Sequence, residues 1–139
     1  MSERGESSAK KQTVIVTESP IDALSVTTLL KLQRRDWTEN HYLSLGGTSP
    51  LALLQFLHDH PSVTEVNLCL DNDRAGIAGM EKIRESILAD KELSARITEI
   101  RDSPPPAAYG KDYNKLLVQK IQEMRATKAQ QNRQADKCR

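Results

Sequence analysis

Two aspartates two positions apart, Asp71 and Asp73, close the apolar run Val66-Asn67-Leu68-Cys69-Leu70. A small-residue segment, Ala75-Gly76 and onward, follows them with helical character. In an open α/β sheet, ligands bind outside the carboxyl ends of the strands. Two carboxylates at such a lip could share one hard cation, magnesium above all, because oxygen is the donor that ion prefers. Capping of the following helix by Asp73 or Asn72 is the competing account. A second pair of acids, Glu18 and Asp22, follows another β-branched run, Thr13-Val14-Ile15-Val16-Thr17. For Asp22, an acid favoured by the dipole of the helix it begins is nearly as good a reading as a ligand.

The elements that must position these acids can be read in order. The first strand spans Thr13 to Thr17. Ser19-Pro20, a cap followed by proline at the first helical position, starts a helix. Ile21, Leu24, Thr28 and Leu32 recur along it at helical spacing up to Arg34-Arg35. Tyr42 to Leu45 is a second strand closed by Gly46-Gly47-Thr48, and Ser49-Pro50 repeats the cap-plus-proline device before a helix to Asp59. Leu51, Leu54 and Leu57 are expected to face inward there. Glu65 to Leu70 is the third strand. The third helix runs from Ala75 to Asp90, with Met80, Ile83 and Ile87 on one face. Alternation over Ala95 to Ile100 predicts a fourth strand. Asp102 to Gly110, with consecutive prolines from Pro104 to Pro106, predicts an exposed loop. A last helix follows from Asp112 to Ala129, with Leu116, Leu117, Ile121 and Met124 as its apolar stripe.

Alternation of strands and helices implies parallel strands, right-handed crossovers and helices on both faces. The expectation is a small Rossmann-like α/β fold with a four-stranded, mainly parallel sheet. The domain should cover residues 12–127, after a flexible leader (1–11) and before a flexible basic tail (128–139). The polar leader and the basic tail would suit the cut ends of a module from a larger protein.

Bulk composition narrows the field without deciding it. The chain has 139 residues, 37% hydrophobic and 28% charged, with a formal net charge of +1. That balance suits one soluble domain with a modest core. No apolar run reaches the length of a membrane span, and the polar start Met1-Ser2-Glu3-Arg4 lacks a signal-peptide core; a cytoplasmic location is expected. Near-neutral charge argues against gripping a duplex by charge alone, yet it is compatible with metal ions that bridge to phosphate. Cys69 and Cys138 have no metal-binding spacing, and neither zinc nor a disulfide is implied.

Parallel topology gathers the loops after all the strands on one rim. Glu18 and Asp22 lie on the first, Gly46-Gly47-Thr48 on the second, Asp71 and Asp73 on the third, and Lys111-Asp112-Tyr113-Asn114 on the fourth. Like charges brought together repel, so a rim of this kind favours a bound cation. Capping is an equal account of Asp112. Arg74 and Lys111 are candidates for phosphate contact, against the ordinary fate of solvated surface cations. Three other motifs fail. An EF-hand loop would need ligands where Ala75 and Lys82 stand, a P-loop would need a lysine after Gly46-Gly47, and dinucleotide binding would need G-x-G-x-x-G after the first strand. His41, His58 and His60 fall away from the rim.

Glu18-Ser19-Pro20-Ile21-Asp22-Ala23-Leu24, then Leu45-Gly46-Gly47-Thr48, then Asp71-Asn72-Asp73-Arg74-Ala75-Gly76, each after an apolar strand, together resemble the Toprim domain. That family is shared by bacterial primases, topoisomerases and several nucleases, and the nearest likeness is to the primase-like branch of replication and mobile-element proteins. The resemblance spans about residues 13 to 118. It implies Glu18 as general acid/base and metal contact, and Asp71 and Asp73 as the magnesium pair, with manganese a usable substitute. Asp22 and Asp112 match further acidic positions. Asn114 stands where many primases carry a second late acid, and Ser19 where glycine is usual.

What the resemblance implies is magnesium-dependent nucleotidyl or phosphoryl transfer on nucleic acid, DNA first, with nucleotides as co-substrates if the activity is primase-like. Other domains of a larger protein would then be partners, and a membrane would not. Topoisomerase action needs a separate domain with a nucleophilic tyrosine. Two alternatives stay open: a Toprim nuclease that hydrolyses phosphodiesters with the same acids, and a non-catalytic module that binds nucleic acid or a partner.

Overall fold

A computed structural model of the chain describes residues 11–137. β-Branched side chains crowd a helical turn but lie well on a pleated, buried surface. The run Gln12–Thr17 accordingly forms strand β1. His41–Ser44 (β2), Val63–Leu68 (β3) and Glu99–Asp102 (β4) join it in a four-stranded sheet of order β2-β1-β3-β4. Every pairing is parallel. The helices are α1 (Pro20–Leu32), α2 (Leu51–Asp59), α3 (Arg74–Ala89), α4 (Lys91–Arg96) and α5 (Tyr113–Lys137). The expected Rossmann-like α/β architecture is what the chain adopts.

Side chains alternate across a strand, and here the alternation divides two unequal cores. Val14, Val16, Val66 and Leu68 point to one face, where they meet Leu53 and Leu57 of α2, Met80, Ile83 and Ile87 of α3, and Leu93 of α4. Each fully buried aliphatic side chain contributes about 1.5–3 kcal/mol, so this larger layer supplies most of the burial energy. Ile15 and Cys69 point to the other face, where Val26 of α1, Tyr42 and Tyr113 complete a much smaller cluster.

Several local expectations are corrected. On α1 the stripe Ile21, Leu24, Thr28 and Leu32 faces outward, with Ile21 56% and Leu24 68% exposed. The buried side is Asp22, Ser25, Val26 and Leu29. The small Ser25 lets the start of α5 approach, its hydroxyl lying 3.4 Å from the Asn114 Oδ1. On α2 the inward positions are Leu53 and Leu57, with Leu54 partly buried and Leu51 73% exposed. The α1 helix stops at Leu32 because Arg34 turns left-handed (φ 58°), with the Arg35 N–H returning to the Leu30 carbonyl.

The strand expected over Ala95 to Ile100 begins only at Glu99. Asp90 caps a short helix there by accepting from the Leu93 N–H (3.0 Å). Leu93 is fully buried, and Arg96 donates to the carbonyls of Leu57, His60 and Val63. Those tertiary anchors override the alternating pattern. The proline loop is not wholly exposed either: Pro105 is buried, and Ala107–Tyr109 forms a 3₁₀ turn. Residues 128–137, expected as a frayed tail, continue α5 as exposed helix. Residues 1–10, most of the expected leader, and residues 138–139 lie outside the described residues.

Candidate functional site

All four strands point the same way, so the loops that leave their carboxyl ends share one edge, and there the acids meet. Glu18, Asp22, Asp71 and Asp112 line one cleft of about 440 Å³, with Ser19, Gly46, Gly47 and Asn114 among its other walls. Among the described residues no lysine or arginine lines it. Asp73 is at the same edge but does not line the cleft.

The carboxylates of Glu18 and Asp22 and the backbone of Asp71 also hold the edge together. The Asp71 N–H donates to the Glu18 Oε2 (2.8 Å), joining the first and third loops. Asp22, only 5% exposed, accepts from the Ser19 hydroxyl (2.9 Å) and from the Asn114 N–H (3.3 Å), joining the first and fourth. Asn72 closes the circuit: its N–H donates to the Lys111 carbonyl (2.6 Å) and its amide to the Pro105 carbonyl (3.0 Å). The Gly47 N–H donates to the Glu18 carbonyl (3.1 Å), which ties in the second loop.

The competing capping accounts are present as well. Asp73 Oδ1 accepts from the Gly76 N–H (2.8 Å) at the start of α3, and its other oxygen lies 3.8 Å from the Lys111 ammonium. Asp112 Oδ1 accepts from the Lys115 N–H (2.9 Å) at the start of α5. Arg74 is exposed on the first turn of α3, outside the cleft. Gly76 fixes the third loop by absence of a side chain: a Cβ there would fall 2.0 Å from the Asp71 carbonyl oxygen.

Asp71 bears the electrostatic consequence. Burial first, then the charges of Glu18, Asp22, Asp73 and Asp112, push its carboxyl up to about 6. A cation would relieve that repulsion, and an all-oxygen donor set is the one a hard dication takes. The donor chemistry therefore fits magnesium. In the arrangement present, no three acidic, histidine or cysteine side chains among the described residues group closely enough to hold an ion. Glu18 and Asp73 each direct an oxygen to a backbone N–H instead.

The histidines lie elsewhere, as expected. His41 and His60 pack around Phe56, and His58 bridges Asp90 and Glu92 at 2.8 Å from each. Sequence reasoning missed Asn72 as a tie between loops, and it gave Gly76 no role. An asparagine between two aspartates offers no distinctive pattern. The D-x-D-x-x-G spacing does carry the Gly76 signal, since glycine is the residue that permits close backbone approach.

Fold and edge together define a parallel α/β domain with a carboxylate-lined ligand edge. The chain belongs to the Toprim-like family, whose model matches residues 15–117. Domains of that family generally bind magnesium and act on nucleic acids. No curated protein matches the chain. Among the described residues no helix is long and apolar enough to cross a membrane.

Proposed function

We propose that the acid-lined cleft is a magnesium-dependent nucleotidyl- or phosphoryl-transfer site of primase type, acting on DNA as one module of a larger protein. The observation that carries this reading is the convergence of Glu18, Asp22, Asp71 and Asp112 on one cleft that, among the described residues, no lysine or arginine lines, with Asp71 raised to about 6. Asp71 and Glu18 would hold the ion from the cleft, Asp73 would join them by turning from the Gly76 N–H it now caps, and Asp22 and Asp112 would add negative charge around it. When bound, such an ion supplies polarisation of a phosphate oxygen.

The protein's own groups do the rest. Glu18, held against the Asp71 N–H, is the base that takes a proton from an attacking hydroxyl and returns one to the leaving oxygen. Gly46 and Gly47 keep their part of the cleft wall free of side chains. Lys111 and Arg74, at the flank, are available to a phosphodiester backbone.

A manganese titration followed by NMR tests the metal site. Paramagnetic broadening should centre on the amides of Glu18, Asp71 and Asp73 and vanish in the Asp71→Asn/Asp73→Asn double variant. Absence of broadening at millimolar manganese, with single-stranded DNA present, overturns the proposal and leaves a non-catalytic binding module. With the site established, Glu18→Gln should lower metal-dependent transfer at least about 100-fold. Cutting of phosphodiesters by the chain alone would reassign the same acids to a nuclease.

A further inference from the structure

The less densely packed face of the sheet holds a second concavity, of about 480 Å³, between the strands and the α1–α5 pair. Its size lies within the roughly 300–1,000 Å³ of small-molecule sites. We propose that it binds a nucleoside phosphate, with the base on the apolar wall and the phosphate at the cationic rim.

The lining is built from several parts of the chain and has a definite chemistry. Ile15 of the sheet and Val26, Leu29, Leu30 and Leu116 of the helices make an apolar wall. Gln33, Asn40 and Asn67 bring three side-chain amides, which can donate to and accept from the edge of a heterocyclic base. Arg35 of the connection after α1, Arg101 of β4 and Lys120 of α5 bring cations, the last two with carboxylates beside them outside the lining, Glu99 and Glu65 on Arg101 and Glu123 at 3.9 Å from Lys120. Among the described residues no carboxylate lines the cavity, although the chain carries 19 acids. A neutral ligand would have no use for three cations, and a bare anion none for the apolar wall and amides. A ligand with a planar polar body and an anionic end uses all of them.

Four details place the recognition groups. Ile15, Asn67 and Arg101 are register partners on β1, β3 and β4, so wall, amide and guanidinium stand side by side. Glu99 and Glu65 hold Arg101 at 2.6 and 3.5 Å, which orients the guanidinium and leaves it other N–H donors. The Asn67 Oδ1 is buried and has no hydrogen-bond partner. Such an orphan is costly, and a base N–H reached by rotation of the amide would satisfy it. Lys120 is steadied over the Tyr109 ring, 3.1 Å from its hydroxyl.

This proposal does not depend on the reading of the acid-lined cleft. Its test is an NMR titration of the full chain, with EDTA present, by AMP, GMP, CMP and UMP in turn. Adenosine and inorganic phosphate serve as the separate halves of the ligand. At least one nucleotide should give saturable shifts at the amides of Asn67, Arg101 and Ser103. It should bind about tenfold or more tightly than either half, the worth of one charge-assisted contact. Lys120→Gln and Arg35→Gln, both at exposed or half-exposed positions, should each weaken it several-fold, and Lys82→Gln on the opposite face should not. Shifts confined to the loops of Glu18, Asp71 and Asp112, no saturable shift with any nucleotide, or equal affinity for adenosine would overturn it.

Discussion

Two hollows of similar size carry opposite charge in this domain. Among the described residues, the cleft at the carboxyl edge is lined by Glu18, Asp22, Asp71 and Asp112 and by no lysine or arginine, whereas the cavity under α1 and α5 is lined by Arg35, Arg101 and Lys120 and by no acid. Strand β3 serves both, with Asn67 facing the cavity and Asp71 just past its end in the cleft. The difference shows how a parallel sheet separates chemistries. Its edge concentrates loops, whose backbone N–H groups give acids partners. Its face exposes every second side chain of a strand, so one register sets Asn67 and Arg101 side by side, and the helices and connections above it add Arg35 and Lys120. Neither hollow needs the chain's net charge to be far from zero.

The sharpest way to break this contrast is to disturb the third loop. Gly76→Ala puts a methyl group 2.0 Å from the Asp71 carbonyl, and relief requires the loop or the start of α3 to move. Overpacking of that kind costs about 1–3 kcal/mol, here at the upper end because the obstacle is backbone. Chemical denaturation should show that loss, and manganese broadening at Asp71 should weaken with it, while nucleotide shifts at Asn67 persist.

A smaller change removes one charge from the acid-lined cleft. The Asp71 carboxyl is raised to about 6, so the folded state binds the extra proton and the repulsive cost acts above that pH. The cost fades as pH falls from about 6 toward the ordinary carboxyl value near 4. In EDTA, Asp71→Asn should therefore melt higher than the parent at about pH 8 and alike at about pH 3.5. Solvent screening at a part-exposed group trims the gap to about 5 °C. Millimolar magnesium should close it by stabilising the parent alone.

The least change expected is on the other hollow. Asn67→Leu replaces the orphaned amide by an apolar group of similar size, and relief of an unsatisfied buried acceptor is worth about 1 kcal/mol. Scanning calorimetry should register a gain of about 3 °C. The same variant should lose nucleotide affinity, so stability and binding move in opposite directions.

Much of the frame was legible because local signals and global packing agree. The β-branched run at Val14 to Val16 became the centre of the sheet, Ser19-Pro20 started a helix, and Met80, Ile83 and Ile87 line the core as their spacing implies. The convergence of acids also followed from topology alone, since parallel strands place all their carboxyl ends together. What escaped was decided by contacts distant in sequence. The rotation of α1 depends on how Ser25 meets the beginning of α5, and α4 depends on Arg96 reaching the end of α2. The cationic hollow was invisible for the same reason. Arg35, Asn67, Arg101 and Lys120 share no motif, only a face of the folded sheet.

The length of α5 has a mechanical consequence. Its root is fastened to the acid-lined edge, by the Asp112 cap and by the Asn114 N–H on Asp22. Its 25 residues make a rod of about 37 Å, and from Gln122 to Lys137 all of them are exposed. A rod anchored at one end and accessible at the other is a lever. Asp22 and Asp112 sit at its fulcrum, where the Asn114 N–H and the Asp112 cap join it to the acid-lined cleft.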